Sequence, residues 1–334
     1  MKHAILLICI AFFVISELRA QQDSAKPEPG QFFADIHFFA QSDLNGNLTP
    51  KSSFGINTAI MGYKRTFSKT VTGTILYDVT RTTNFIYPDS IGIASYFEGS
   101  KYTAFLKMAE IDWKIKPWVE LGLGQLLNEQ YLTVQDKHWG FRYVNTTMQE
   151  YFRFGNPADF GIRMKFFPVK KLMISATVMN GEGPFRYQDG EALFQYCFNA
   201  EYRPKEHLIF KVYGDYQPHA TGLGKDRSAI SIFSGYKKGK WMAGAEYNMI
   251  LNNAYLEGSD LRGVSLYGSF KTGEKTAVFA RADYMLEYGA AENEIYWMAG
   301  AEYRPVQALG LALYVKRNSW LNTSVIGLNA GMRF

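Results

Sequence analysis

The sequence is poor in cysteine, which limits how the protein can be stabilised. It contains two cysteines, Cys9 and Cys197, and Cys9 lies in an N-terminal segment that we expect to be cleaved off. A single remaining thiol excludes an intramolecular disulfide, even in an oxidising compartment. We expect Cys197 to be a small buried or lipid-facing side chain.

The chain also lacks an apolar run long enough for a membrane helix. Residues 4–15 are the longest such run, at 12 residues, whereas a spanning helix needs about 20. Lys2 and His3 precede this run and Ala20 follows it, which is the layout of a secretory signal peptide. We therefore predict a signal peptide at 1–20, followed by a polar, proline-containing leader at 21–30.

Neither sign of charge dominates. Loss of Lys2, Glu17 and Arg19 with the signal leaves 34 basic and 30 acidic residues, a net charge of +4. This balance argues against a nucleic-acid partner.

The sequence contains no GxSxG, HExxH or Ser–His constellation, and its histidines are not paired at a metal-ligand spacing. We expect no enzyme activity, no metal and no cofactor.

Aromatic residues and strict alternation are what the chain does contain. Phenylalanine, tyrosine and tryptophan make up 16% of residues, yet the mean hydropathy is slightly negative. Short segments alternate apolar and polar residues, as in a strand with one lipid face. In addition to strands at about 32–41, 54–67 and 71–79, we predict strands near 101–114, 117–126, 159–167, 172–180, 191–203, 207–216, 227–237, 240–251, 262–271, 276–287, 293–303, 307–317 and 323–334.

The connections between these strands alternate between short and long. The short turns lie at 68–69, 116–117, 168–171, 204–206, 237–240, 272–275 and 305–306, and the long connections at 43–52, 83–100, 127–158, 181–190, 217–226, 252–261, 288–292 and 318–322. This is typical of an up-and-down barrel. The sequence predicts an all-β, transmembrane, antiparallel barrel over residues 31–334, with about 16 strands and a range of 14 to 18.

About sixteen strands enclose an aqueous lumen, whereas about eight are filled by their own side chains. The polar strand faces place basic and acidic residues together in this lumen. As pore-lining residues we select Arg163, Lys165, Lys211, Glu246, Arg281 and Lys316; Asp78, Glu120, Glu201, Asp215 and Glu302 point inward by the same alternation. Because both signs are present, the pattern does not indicate an anion filter.

Three segments resemble a known family: HWGFRY at 138–143, EYFRFGNPADFGIRMKF at 150–166 and VMNGEGPFRYQDG at 178–190. They are similar to the porin family that includes phosphate-selective porins O and P, most strongly between residues 100 and 190. The frequent tyrosine and phenylalanine suggest a Bacteroidetes-type member. The last strand, ending in Phe334, resembles the C-terminal strand of outer-membrane proteins, whose terminal aromatic residue the barrel assembly machinery recognises.

The resemblance implies an outer-membrane channel, surrounded by lipid and assembled as a homotrimer, that passes small hydrophilic solutes or ions by passive diffusion. It also implies that the longest loop, 127–158, folds into the lumen and narrows it. As constriction residues we select Glu129, Asp136, Arg142, Glu150, Arg153 and Asp159.

Some alternatives stay open. The loop charges either face the solute or pair with one another and hold the loop to the wall. Trp139, Phe141, Tyr143 and Tyr151 either pack the loop or contact sugar rings. The whole barrel could instead be a structural subunit of an envelope complex with a blocked lumen, or a barrel enzyme.

Overall fold

A computed structural model describes residues 29–81, 102–188, 190–219, 224–288 and 291–334. The predicted signal peptide, most of the leader and the whole of the 83–100 connection lie outside these residues. None of the helices in the described part of the chain has the length and the apolar sequence that spanning a bilayer requires.

Sixteen antiparallel strands of the described chain close into one barrel, in which each strand pairs with its sequence neighbours and β1 pairs with β16. The strands are β1 (Gln31–Asp43), β2 (Ser52–Thr66), β3 (Val71–Arg81), β4 (Tyr102–Lys116), β5 (Val119–Leu127), β6 (Ala158–Val169), β7 (Leu172–Met179), β8 (Gln195–Lys205), β9 (Leu208–Gln217), β10 (Arg227–Lys238), β11 (Trp241–Leu251), β12 (Leu261–Lys271), β13 (Thr276–Tyr288), β14 (Ala291–Val306), β15 (Leu309–Asn318) and β16 (Thr323–Arg333). The predicted fold class and strand number are confirmed.

The connections divide the barrel into two ends. We call the end with the short connections the turn end and the end with the long connections the loop end. The connection between β5 and β6 contains two short helices, α1 (Gln135–Trp139) and α2 (Met148–Tyr151), and a 3₁₀ turn (Asn253–Tyr255) follows β11. Because β1 pairs with β16, the first and last strands lie side by side.

Alternation along each strand separates an inner from an outer face. In β10, for example, Ala229, Ser231 and Phe233 are buried, whereas Ile230 and Ile232 are 41% and 49% exposed. Exposed apolar side chains recur in this phase around the barrel, which is the pattern of a surface that contacts lipid. Cys197 is buried and has no disulfide partner.

Three predicted turns are displaced because the strands continue through proline. Pro168, Pro204 and Pro305 lie inside β6, β8 and β14, each within a register shift at the turn end. Proline has no N–H to donate, so an irregular pairing at a strand end accommodates it. The prediction of a turn at 305–306 was therefore wrong; the turn is at 307–308.

The start of β8 was also predicted four residues too early. The strand begins at Gln195, not at 191. Ala192 has a φ of 54°, in the left-handed region, which interrupts extended backbone before the strand. The connection from β7 to β8 is correspondingly longer than the sequence predicted.

Candidate functional site

The segment between β5 and β6, residues 128–157, crosses the interior of the barrel. Tyr143 Oη donates a 2.7 Å hydrogen bond to Glu302 of β14, and Asn329 Nδ2 of β16 donates one of 2.8 Å to the Tyr143 carbonyl. Strand β14 lies on the opposite side of the ring from β5 and β6. The segment, which we call the inner loop, therefore spans the lumen.

Aromatic packing fixes the inner loop against the wall formed by β9–β15. The ring of Trp139 lies 5.2 Å from that of Tyr267, and the ring of Phe141 lies 4.5 Å from that of Phe279. These side chains belong to one buried apolar cluster that joins the loop to strands β9–β15. Burial of large aromatic rings stabilises such contacts strongly. This half of the lumen is filled by protein, and the loop aromatics pack rather than face a solute.

Buried cations reinforce the anchoring. Lys211 Nζ donates to the Gln130 carbonyl at 3.0 Å and to Gln135 Oε1 at 2.8 Å. Arg281 donates to the Thr146 carbonyl and lies 5.7 Å from the ring of Trp139. A buried ammonium or guanidinium needs such acceptors to offset its lost hydration. Lys211 of β9 and Arg281 of β13 thus bind the inner loop to the barrel wall.

Two glycines allow the inner loop to approach the wall. A Cβ added at Gly331 would lie 2.6 Å from Cγ of Tyr143, and one added at Gly263 would collide with the end of the Met148 side chain. Glycine inside a strand is expected where another backbone or side chain comes close. The absence of a side chain at these two positions therefore leaves space at the wall for Tyr143 and Met148 of the loop.

On the other side of the inner loop, three charged residues form a compact cluster. Arg142 Nη1 donates to Asp136 Oδ1 at 2.8 Å, and its Nη2 donates to Glu150 Oε1 at 2.7 Å. Burial acts to raise the pKa of Glu150, but the guanidinium of Arg142 outweighs it, and this pKa lies below its ordinary value. Burial likewise acts to lower the pKa of Arg142, whereas Asp136 and Glu150 raise it above its ordinary range. Arg142 and Glu150 therefore stay charged at neutral pH.

The wall that faces this cluster belongs to β1–β4, and two β-bulges shape it. The register of β1 with β2 shifts so that Asn57 is the extra residue, and the register of β3 with β4 shifts so that Lys107 is the extra residue. Bulges re-aim side chains and often adjoin functional sites. Lys107 Nζ is 2.6 Å from Asp78 Oδ2, and Thr58 also donates to this carboxylate. The strict alternation used above does not reveal Asn57 or Lys107.

Two cavities meet at this level. The loop-end cavity, of about 370 Å³, is bordered by Asp78, Lys107, Arg142 and Glu150, among others. The turn-end cavity, of about 350 Å³, is bordered by Lys107, Asp136 and Arg142, among others. Lys107 of the wall and Arg142 of the inner loop border both cavities. The space left by the filled half of the lumen therefore follows β1–β4, and these two side chains lie where the two cavities adjoin.

Asp136, Arg142 and Glu150 are thus the predicted constriction residues that the structure brings together. Glu129 is buried near the start of the inner loop, where it accepts a hydrogen bond from Ser175 and lies 3.8 Å from Arg163. Asp159 accepts the N–H groups of residues 181 and 183 at 2.6 and 3.0 Å, which fixes the next connection. Arg153 has an exposed side chain and borders neither cavity.

The predicted lining residues lie on the inner face, but most contact protein. Arg163 pairs with Glu110, and Glu246 accepts a 2.8 Å hydrogen bond from Gln149 of the inner loop. Lys165 lies 3.2 Å from Glu120 near the turn end. Lys316 borders the loop-end cavity. The alternation identified the inner face correctly, but it carries no information about which part of that face the loop covers.

Comparisons with known proteins bear on the fold. No protein-family model matches the sequence, and no curated protein matches it. Solved structures do match: Salmonella typhi OmpF, in a complex with daunomycin, has a TM-score of 0.66 at 9% identity, over 92% of this chain and 100% of that one. A mutant of the Rhodopseudomonas blastica porin gives 0.58 at 13% identity, over 92% and 100%.

A third structure, Pseudomonas putida OprB at low pH, gives a TM-score of 0.60 at 9% identity and covers 91% of this chain and 92% of that one. At such low identities these matches establish the barrel architecture over nearly the whole length of all the chains. The chain shares the fold of bacterial porins.

Proposed function

We propose that the protein is an outer-membrane channel for the passive diffusion of small hydrophilic solutes or ions. The observation that carries this proposal is the pair of cavities inside a closed barrel that share Lys107 and Arg142 at their borders. The outer face of the barrel exposes apolar side chains, as a lipid-facing surface requires. The porins that share the fold support the same location and activity.

The constriction in this proposal has two charged sides. The inner loop contributes Asp136, Arg142 and Glu150, and the wall contributes Asp78 and Lys107. Each side contains both signs, and each cation is already paired with a carboxylate. A passing ion therefore meets opposite charges at short range rather than one uniform field, which supports weak ion selectivity. The sequence resemblance to phosphate-selective porins does not add an anion filter here.

Reconstitution in a planar bilayer tests the proposal. Steady single-channel currents are expected from the refolded, heat-modifiable barrel. A cysteine at Asn57, which borders the loop-end cavity, should then allow a bulky thiol reagent to reduce the conductance. Tyr187 is 97% exposed in the connection after β7 and borders neither cavity, so Tyr187→Cys is the matched control. Both variants carry Cys197→Ser.

A silent bilayer from a folded barrel would contradict the channel and favour a barrel with a blocked lumen, which the filled half of the lumen makes the second candidate. Equal block at Asn57→Cys and Tyr187→Cys would instead place the current outside the loop-end cavity. Trimer formation and recognition of Phe334 by the assembly machinery remain part of the proposal. Analytical ultracentrifugation in detergent measures the first, and assembly of a Phe334 deletion measures the second.

A further inference from the structure

The loop-end cavity contains an aromatic pair that the charged constriction does not explain. Phe105 of β4 and Phe185 of the connection after β7 both border this cavity, and their ring centroids are 4.6 Å apart. Phe185 is 69% exposed. A large apolar ring left this open at the border of a cavity buries little surface in the protein alone.

Polar neutral side chains surround the same space. Gln41 and Asn57 carry amides that both donate and accept hydrogen bonds, and Thr146 carries a hydroxyl. Asn145 and Thr58 are also at the border, where the Asn145 amide nitrogen donates to Tyr296 and the Thr58 hydroxyl to Asp78, so these two residues offer acceptor oxygens. The cavity volume of about 370 Å³ lies within the roughly 300–1,000 Å³ range of small-molecule sites. The cavity therefore combines aromatic faces with several hydrogen-bonding groups.

The charges at its border favour a neutral ligand. Lys107 is paired with Asp78, and Arg142 is paired with Asp136 and Glu150, so these groups present hydrogen-bonding atoms without a large uncompensated charge. Lys316 also borders the cavity, where its ammonium lies 5.5 Å from the ring centroid of Tyr314. An ammonium can donate to a hydroxyl as well as to an anion.

We propose that the loop-end cavity is a binding subsite for a neutral, polyhydroxylated ring, of the size of a monosaccharide, with Phe105 and Phe185 as the stacking surface. The positive C–H edges of a sugar ring pack on the negative face of an aromatic ring, and its hydroxyls match the surrounding amides and threonines. This inference rests on the proposed channel function and adds a substrate class to it.

Block of the ion current by glucose tests the subsite. Glucose added on the loop-end side should reduce the current saturably, whereas sorbitol, an open chain of similar size, should block far less because it lacks a flat face. Phe105→Leu and Phe185→Leu should each weaken glucose binding by about fivefold to tenfold. Tyr187→Leu, an exposed aromatic that borders neither cavity, should leave it unchanged.

The outcomes separate the two proposals. Normal currents without saturable glucose block, or equal affinity in the phenylalanine variants, would overturn the subsite and leave the channel intact. Glucuronate binding far more tightly than glucose would also overturn it, because Lys316 would then define an anion site. If no current is seen, calorimetry of the detergent-solubilised barrel with glucose and sorbitol gives the same comparison, and equal or absent heats would reject the subsite.

Discussion

Replacement of Arg142 by glutamine should make the channel more cation-selective. Arg142, Asp136 and Glu150 together carry a net charge of −1, and the variant carries −2, while the Lys107–Asp78 pair stays neutral. An added unit of charge about 4 Å from a passing ion is worth about 1 kcal/mol even in bulk water. This corresponds to about fivefold in favour of cations and a similar factor against anions.

The measurement is the reversal potential under a salt gradient at low ionic strength, where screening is weak. Arg142→Lys retains the charge and should retain the reversal potential of the wild type. Arg153→Gln removes the same charge from an exposed position of the inner loop that borders neither cavity, and it is the matched control. Equal shifts in the Arg142→Gln and Arg153→Gln channels would refute the assignment of the constriction.

The dependence on pH follows from the same cluster. Arg142 holds the pKa of Glu150 below its ordinary value against the effect of burial, so the wild-type reversal potential should stay constant as the pH falls to about 5. The ion pair stabilises the protein fully above the ordinary pKa of glutamate, and this contribution is lost as the pH falls through the lowered pKa. In Arg142→Gln this pairing is absent, and burial, the largest influence on Glu150, acts to raise its pKa against the weaker effect of Lys107. The extra cation selectivity should therefore be lost at a higher pH.

Two further substitutions test how the inner loop is attached. Tyr143→Phe removes the 2.7 Å hydrogen bond to Glu302 and should lower the stability of the loop by about 1–3 kcal/mol. The expected result is faster proteolysis within 128–157 in a barrel that still shows heat-modifiable migration. Equal proteolysis rates would argue that the bond contributes little. Gly331→Ala places a methyl group 2.6 Å from Cγ of Tyr143 and should displace the loop from the wall, which raises the conductance and its noise. Gly214→Ala in β9, where the added methyl group makes an ordinary contact of 3.6 Å with the Ala229 carbonyl, is expected to leave both unchanged.

Much of the barrel could be predicted from the sequence because its physics is local. A period of two and a regular sequence of turns suffice to place an antiparallel up-and-down strand, and they located all sixteen to within about four residues. The errors have local causes as well. Pro305 was interpreted as a turn residue, although a register shift lets it remain in β14, and the left-handed backbone of Ala192 has no signal in the alternation.

The candidate site was less accessible because it depends on contacts between distant residues. Arg142 and its two carboxylates were identified from their density in one long segment. Lys107 was not, because a bulge gives it an inward direction that a strict period of two does not predict. Arg281 was correctly placed on the inner face, but its interaction with the inner loop joins residues 135 positions apart in the chain. The alternation within one strand carries no information about a contact between residues so far apart in the sequence.

The asymmetric filling of the lumen has a consequence for how such a channel can evolve. The aromatic cluster that stabilises the inner loop lies against β9–β15, whereas the side chains that border the two cavities come largely from β1–β4 and the opposite edge of the loop. Mutations on β1–β4 can therefore change which solutes pass without removing the contacts that keep the loop in place. Different strands of the barrel determine loop stability and solute specificity, so new specificities can be selected with little loss of stability.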